Sequence, residues 1–546
     1  MKRLLILALV AGAAAVAWYQ ATASPRPLAQ LLPGGALVYL EARDFARLLA
    51  DWDGSGVKQD WLKSANYDEF QRSNLYLKLN VFYKAYGAAA GFLPDMASLR
   101  SLAGDESALA LYDLRNVQFA YITRISESKA AQSRLWTARG SFETRQAAGI
   151  TFYTRTSGDV ELAFAVSNGY LLVSTGEERM AGMLGLLTGK NTPNIAAEAW
   201  YKNPTDAAGA AGDLRLAMNL ESLVENTYFR SYWVQRNVSD ARRFVSGVAD
   251  IHRTSGEIQE QRLFLKRVGL MEELPTPDAL TAAAALSQMA PNDDGLDRVW
   301  AAPGADEAAS TIEIHLLNPH ASGEARPTYA PGEDQTNGAG SEADLETRID
   351  EPPLPKLGES GSGALQTLLT ETGVLAMLEA ESSKARPASP FIDLPCAIAL
   401  TGRKAWNVDR VKDALGVDWV TGTHGAHTLY RANGLGRIQF ASEGPVLVIA
   451  NDETLLSAIL GRQPNGVSAM NAAYAADFRH DRERVNFGRM MTALDFAQNR
   501  GNQEPPFFSA NLESLSSALR RVSGISIVER NLADRVEQRI VYRLTP

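Results

Sequence analysis

Residues 160–174, VELAFAVSNGYLLVS, decide the fold of this chain. The apolar residues at positions 160, 162, 164 and 166 fall on every second position, which is typical of a strand that buries one face. Asn168-Gly169 predicts a tight hairpin turn, because both residues tolerate a positive φ. The strand that returns from Tyr170 leads into a helix with an apolar stripe. We therefore expect an antiparallel meander that packs against helices.

The chain contains this pattern twice. Residues 245–247 read VSG and recur at 522–524, and residues 260–262 read EQR and recur at 537–539. Both offsets are 277 residues (522 − 245 and 537 − 260). Two triplets that recur at the same offset, within a hydrophobic pattern that also recurs at that offset, indicate a duplication.

Each copy follows the order strand, helix, three-stranded meander and helix, and then closes with a β-hairpin. This order predicts an α+β fold in which helices cover one face of each antiparallel sheet. We expect two tandem pseudo-repeated halves, at residues 24–275 and 276–546. Residues 75–87 are rich in aromatic side chains and predict a packed helix. Residues 318–363 are rich in Pro, Gly, Glu, Ser and Asp, which predicts a flexible insertion in the second half.

The first 23 residues have the pattern of an export signal. Lys2 and Arg3 precede an apolar run at residues 4–19, and residues 21–23 (ATA) match an A-x-A cleavage site. The alternative is an uncleaved membrane anchor, because residues 4–23 are long enough to span a bilayer. Both interpretations place the body in the periplasm or on the outer face of the inner membrane, and the anchor would associate it with that membrane.

Composition narrows the class of protein. The chain has 546 residues, of which 45% are hydrophobic and 21% are charged, so we expect roughly two to four globular domains. The net charge of −9 argues against a general affinity for nucleic acid. Cys396 is the only cysteine, so an intrachain disulfide cannot form. The apolar run at residues 396–400 predicts that its thiol is buried.

Two segments carry a resemblance to a known family. The first runs from Leu32-Pro33 to residues 39–44, YLEARD, and the second is GYLLVS at residues 169–174. They resemble a widespread family of exported bacterial proteins that is catalogued only as a domain of unknown function. The resemblance implies a strand–Arg-Asp–helix opening and a meander-plus-helix unit. It brings no activity and no functional residue.

Two segments have partial metal-ligand patterns. His424 and His427 could supply two ligands, but a zinc site needs three or four, and no Cys or Glu cluster accompanies them in sequence. Residues 51–56, DWDGSG, begin like a calcium loop, but Leu62 stands where a bidentate Glu is needed. We interpret the first as a solvated loop and the second as a turn that ends a helix.

Three further motifs are weak. S-x-x-K occurs at residues 55–58 and 126–129 without the K-T-G of serine acyl enzymes, so both predict helix starts. Residues 185–190 resemble a P-loop but are one residue short and lie at the end of a helix. An aromatic cluster could line a ligand groove, although its helical spacing favours a packed core. Its members are Tyr228, Phe229, Tyr232 and Trp233.

Because no motif supplies a catalytic set, we assign no catalytic, cofactor-binding or metal-binding residue and expect no cofactor. The leading hypothesis is a non-enzymatic envelope protein that acts by binding or scaffolding. One alternative is a carrier of an apolar ligand or lipid, which requires an apolar cavity. The other is a hydrolase whose catalytic residues are dispersed in the sequence. The expected partners are a protein or an apolar ligand, and not nucleic acid.

Overall fold

The computed structural model describes residues 26–232, 241–269, 274–291, 294–317, 362–382, 395–416, 418–425, 427–433, 438–465, 467–482 and 520–545. The predicted export signal and residues 318–361 of the predicted insertion lie outside this part of the chain. Within it, no helix is both long enough and apolar enough to cross a membrane.

Helices and strands occur in comparable amounts, and the strands form open antiparallel sheet. The chain divides into two compact units. Of the described residues, the first unit holds 26–46 and 85–202, and the second unit holds the rest. The predicted boundary at residue 275 between two halves stays a prediction.

The sheet of the first unit contains β1 (Val38–Arg43), β2 (Glu106–Asp113), β3 (Gln118–Arg124), β4 (Glu143–Ala147), β5 (Ile150–Ser157), β6 (Val160–Ser167) and β7 (Tyr170–Thr175). They follow the order β1-β2-β3-β7-β6-β5-β4, and every neighbouring pair is antiparallel. The turn between its sixth and seventh strands contains Asn168 and Gly169 with φ angles of 52° and 78°, which confirms the predicted hairpin.

The second unit contains the remaining strands. They are β8 (Leu214–Met218), β9 (Phe244–Arg253), β10 (Glu257–Lys266), β11 (Asp294–Ala301), β12 (Val374–Ser382), β13 (Cys396–Gly402), β14 (Trp419–His424), β15 (His427–Ala432), β16 (Gln439–Glu443), β17 (Val446–Ala450), β18 (Tyr474–Phe478), β19 (Val522–Asn531) and β20 (Arg535–Leu544). Their order is β8-β9-β10-β20-β19-β18-β11-β12-β13-β17-β16-β15-β14, again antiparallel throughout. The predicted closing hairpins are confirmed as β9–β10 and β19–β20.

The helices connect and cover these strands. They are α1 (Phe45–Asp53), α2 (Gly56–Leu62), α3 (Ala65–Arg72), α4 (Asn74–Ala90), α5 (Met96–Leu102), α6 (Glu127–Ala131), α7 (Arg134–Ala138), α8 (Glu177–Leu187), α9 (Ala199–Ala208), α10 (Leu220–Glu225), α11 (Thr227–Tyr232), α12 (Pro277–Met289), α13 (Ala305–Ile312), α14 (Ser362–Thr372), α15 (Val408–Leu415) and α16 (Glu453–Leu460). A π-helical turn, Glu313–Leu317, extends α13.

Helices cover both faces of the sheet formed by β11–β13 and β17. Helices α12 and α16 pack on the face that carries Ala397 and Ala399. Helices α13, α14 and α15 pack on the opposite face, which carries Ile398 and Leu400. The expectation that helices cover one face is therefore wrong. The physical reason is that β13 is apolar at consecutive positions, which is the pattern of a strand buried on both sides.

Helix α4 also departs from the prediction. Leu77 is 50% exposed and Val81 is 64% exposed, so this part of α4 is not the packed helix that residues 75–87 predict. Among the residues of α4 whose burial is described, only those at the C-terminal end are well buried, at Gly87, Ala89 and Ala90. Aromatic content therefore predicted the helix correctly but not its packing.

Candidate functional site

The first unit encloses an apolar cavity of about 300 Å³. Its floor is a row of four side chains on adjacent strands: Leu40 on β1, Leu109 on β2, Tyr121 on β3 and Val173 on β7. Leu40 lies opposite Leu109, Leu109 lies opposite Tyr121, and Tyr121 lies opposite Val173. Directly opposed residues in antiparallel strands point to the same face, so the register alone aligns this row.

Helix α5 forms one wall of the cavity through Leu99 and Leu102, which are one helical turn apart. Asp95 caps the helix by accepting hydrogen bonds from the backbone N–H and the hydroxyl of Ser98, at 2.7 and 2.5 Å. Leu99 is 41% exposed, so this wall is in contact with solvent as well as with the cavity.

The two residues that follow α5 are fixed to α6 and to β3. Lys129 Nζ donates to the carbonyl oxygen of Ala103 at 2.7 Å. The backbone N–H of Gly104 donates to Thr123 Oγ1 at 2.9 Å. A Cβ atom on Gly104 would lie 1.7 Å from the carbonyl oxygen of Arg124, so only glycine allows this close approach. The wall therefore has a fixed end and a more exposed middle.

The remaining walls of the cavity come from two helices, α4 and α7, and from the loop that follows α4. The end of α4 and the loop that follows contribute Ala90, Phe92 and Pro94, and α7 contributes Leu135. Ala90 and Leu135 also belong to the core that packs on β6 and β7. The cavity is thus continuous with the hydrophobic core, and some of the residues that line it are also core residues.

Polar groups at the cavity wall are satisfied by one another. The Tyr121 hydroxyl lies 3.0 Å from the carbonyl oxygen of Leu102 and 3.1 Å from Ser107 Oγ. Ser107 Oγ also lies 2.7 Å from Thr123 Oγ1. Burial raises the pKa of Tyr121, so its hydroxyl stays neutral. The wall therefore presents no unpaired charge to an occupant, which suits an apolar molecule.

A second, larger depression of about 920 Å³ in the first unit is polar. Arg179 lies over the Tyr112 ring at 4.4 Å and donates to the carbonyl oxygen of Thr175 and to Gln118. The Glu161 carboxylate accepts the backbone N–H of Glu177 at 3.1 Å, at the start of α8. Because these side chains already bind one another, we regard the apolar cavity as the better candidate site despite its smaller volume.

The two histidines of the sequence analysis do not share a site. They face each other in the β14–β15 hairpin, where His424 is the register partner of His427. His424 Nδ1 lies 3.1 Å from Glu453, whereas His427 Nδ1 contacts Glu443. Each imidazole therefore pairs with its own carboxylate near the surface.

The calcium-like segment and the S-x-x-K motifs form helix ends, as predicted. Ser55 accepts the backbone N–H of Lys58 at the start of α2, and Asp53 accepts a 2.6 Å hydrogen bond from the Lys58 ammonium. Ser126 accepts the backbone N–H of Lys129 at the start of α6. A lysine that binds a carboxylate or a carbonyl oxygen in this way is not positioned to activate the capping serine.

The remaining candidates also have structural positions. Residues 185–190 lie at the end of α8, where the N–H of Lys190 donates to the carbonyl oxygen of Gly185. In the aromatic cluster, the Tyr228 ring carries the Lys78 ammonium at 4.0 Å, and Trp233 lies outside the described residues. Cys396 is buried as predicted, and burial raises the pKa of its thiol.

Comparisons with known proteins leave the function open. No family model and no curated protein matches the chain, in line with a family that has no characterised member. The chain is similar to the solved structure titled "Structure of crystal form III of TP0453", with 12% identity, 46% of this chain and 84% of that chain covered, and a TM-score of 0.27. For crystal form IV of TP0453 the identity is 12%, the coverage 44% and 81%, and the TM-score 0.26. Similarity at this level carries no argument about fold or function.

Proposed function

We propose that this chain is a non-enzymatic envelope protein that binds a small apolar ligand, such as an acyl chain, in the cavity of the first unit. The observation that carries the proposal is the cavity of about 300 Å³ above the row from Leu40 to Val173. Its volume lies at the lower end of the range for ligand pockets, and its wall is apolar with satisfied polar groups. A chain-like or single-ring ligand suits this volume better than a folded lipid with two tails.

The expected driving force is transfer of hydrocarbon from water. Each buried CH₂ group contributes about 0.8 kcal/mol, so affinity should rise with chain length until the cavity is full. The exposed side chain of Leu99 is the place where we expect a headgroup to remain in solvent. We therefore expect the affinity for saturated fatty acids to rise with chain length and then to reach a plateau.

Titration with 1-aminoanthracene, a small fluorophore that brightens in apolar sites, tests the proposal. Ala90→Phe places a large ring in the cavity, whereas Ala88→Phe places the same ring on the exposed side of the same helix. We expect saturable binding to the wild type and to Ala88→Phe, and at least tenfold weaker binding to Ala90→Phe. Fatty acids of increasing length should displace the probe. Equal binding by all three proteins, or none by the wild type, would overturn the proposal.

We also propose that the chain is exported and acts in the periplasm or at the outer face of the inner membrane. The support is Lys2, Arg3, the apolar run at residues 4–19 and the A-x-A sequence at residues 21–23. Cell fractionation tests the compartment, and the intact mass of the purified chain distinguishes a start at Ser24 from a retained anchor. Recovery of the chain in the cytoplasm would contradict this part.

A third proposal is that the two halves arose by duplication. The support is the order β1-β2-β3-β7-β6-β5-β4, which corresponds to β11-β12-β13-β17-β16-β15-β14. In the pairing of β10 with β20, Gln261 lies opposite Arg539 and Arg262 lies opposite Gln538, so the repeated EQR triplets pair reciprocally. An experimental structure with a different strand order in either half would refute it.

A further inference from the structure

The second unit brings together an imidazole, a carboxylate and the only thiol of the chain. His315 lies in the π-helical turn after α13, Glu379 on β12 and Cys396 at the start of β13. One potential ligand atom of each lies within 4.8 Å of the others. The strand register explains the placement: Cys396 lies opposite Glu381, two positions from Glu379 and on the same face. The sequence separation of 81 residues between His315 and Cys396 hides this grouping from motif searches.

The Glu379 carboxylate divides its two oxygens between different neighbours. Its side chain is 0% exposed. Arg298, opposite it on β11, binds Oε2. Oε1 lies 2.9 Å from His315 Nδ1, but no aligned hydrogen bond reaches it. A buried carboxylate oxygen without a hydrogen bond is costly, and here it faces an imidazole nitrogen and a thiol.

The geometry points to a Zn²⁺ site formed by His315 Nδ1, Glu379 Oε1 and Cys396 Sγ. Nitrogen, oxygen and thiolate sulfur are the donors that zinc takes, and three protein ligands with one open position are typical of an accessible site. Donor atoms around a tetrahedral zinc ion lie roughly 3–4 Å apart, given bonds of about 2.0–2.3 Å, so small side-chain rotations suffice. Glu381, 3.7 Å from His315 Nδ1, lies near the fourth position.

The neighbours of the three ligands suit a metal site. Arg298 holds the second oxygen of Glu379, as outer partners commonly hold a ligating carboxylate. Zinc coordination displaces the proton of the Cys396 thiol and the proton on His315 Nδ1, which faces the Glu379 carboxylate, and both protons leave to the solvent. His315 is 30% exposed, so the ion has a path from solvent to two ligands that are otherwise buried.

Cobalt substitution tests the site with a signal that depends on sulfur. Co²⁺ added to the full-length, metal-free protein should bind in a 1:1 ratio and give a thiolate-to-cobalt charge-transfer band in the near ultraviolet. Zn²⁺ should displace it. Cys396→Ser should abolish the band, and His315→Gln should weaken Zn²⁺ binding at least tenfold.

His427→Gln is the matched control, because His427 also contacts a carboxylate but has no thiol neighbour among the described residues. It should bind Co²⁺ and Zn²⁺ as the wild type does. Circular dichroism checks that the variants fold. If Cys396→Ser does not fold, His315→Gln tests the site alone, because its side chain is partly exposed. A wild-type protein without the charge-transfer band at saturating Co²⁺, or equal Zn²⁺ affinity in His315→Gln, would show that the cluster is a buried ion pair only.

Discussion

The hydroxyl group of Tyr121 lies 3.1 Å from Ser107 Oγ, across the β2–β3 ladder at the wall of the apolar cavity. Among the described residues that line the cavity, three carry a polar side-chain group: Tyr121, Ser107 and Tyr86. Tyr86 directs its hydroxyl to the carbonyl oxygen of Val117 at 2.6 Å. The wall is therefore apolar because its hydroxyl groups bind partners within the protein.

Tyr121→Phe should make this wall still more apolar. We expect a loss of about 1 kcal/mol in the free energy of unfolding, because one hydrogen bond to Leu102 or Ser107 disappears while solvent does not replace it. Affinity for 1-aminoanthracene and for fatty acids should stay equal or increase. Tyr170→Phe, at a tyrosine outside the cavity lining, is the control. A tenfold loss of ligand affinity in Tyr121→Phe alone would mean that the ligand needs the hydroxyl group.

The sequence predicted the local elements of the fold well where turn chemistry and periodicity agree. The Asn168-Gly169 turn and the strands on either side of it follow directly from residues 160–174. The start of α8 could not be predicted from the local sequence. Gly176, not a serine or threonine, precedes α8, and the Glu161 carboxylate binds the first N–H of the helix from a strand 16 residues earlier. A cap supplied by tertiary structure has no local pattern.

The candidate sites could not be predicted from the sequence, because register creates them. Leu40, Leu109, Tyr121 and Val173 come from four strands, and each is an ordinary apolar strand residue. Only the pairing of those strands aligns them into a floor. The apolar run at β13 does contain a signal for burial on both faces, since consecutive rather than alternating residues are apolar.

Gly104→Ala should be strongly destabilising. The new Cβ atom would overlap the carbonyl oxygen of Arg124, which belongs to β3 and cannot move without disturbing the ladder. We expect a loss of roughly 2–3 kcal/mol or more in the free energy of unfolding, measured by urea denaturation. Gly140→Ala is the control, because a Cβ atom there has no neighbour within 4 Å. Equal stability of the two variants would show that the segment after α5 is not in close contact with β3.

Asp250 and Arg215 form a buried ion pair between opposed residues of β8 and β9. Arg215 Nε and Nη2 donate to the two carboxylate oxygens at 2.8 and 2.7 Å. Asp250→Ala leaves a buried guanidinium without its counter-charge, so we expect a loss of about 3–5 kcal/mol in the free energy of unfolding. The double variant Arg215→Met/Asp250→Leu should lose less than either single change. Single variants within 1 kcal/mol of the wild type would contradict the buried geometry.

Asp294 should make the stability of the protein fall as pH rises. Burial, followed by the charge of Asp297, raises the pKa of Asp294 from 3.8 to about 7, although Arg479 lies 2.6 Å from its carboxylate and acts in the opposite direction. The same guanidinium lies 2.8 Å from Asp297, so Asp294 and Asp297 share one positive charge. Arg482 also lies nearby and favours the charged form. Neither carboxylate oxygen of Asp294 has an aligned hydrogen bond. Arg479 therefore does not fully offset the effect of burial, and the pKa of Asp294 stays raised.

The sign follows from proton binding. Between the unfolded pKa of 3.8 and the folded pKa of about 7, the folded state holds more protons, so the contribution of Asp294 to stability is greatest at low pH and is lost as pH rises through 7. Asp294→Asn removes this dependence. The free energy of unfolding of the variant, relative to the wild type, should therefore rise between pH 4 and pH 8 by on the order of 2–4 kcal/mol. Urea denaturation at each pH measures it. Parallel curves for the two proteins would mean that Arg479 fully compensates the buried charge and that Asp294 is ionised throughout.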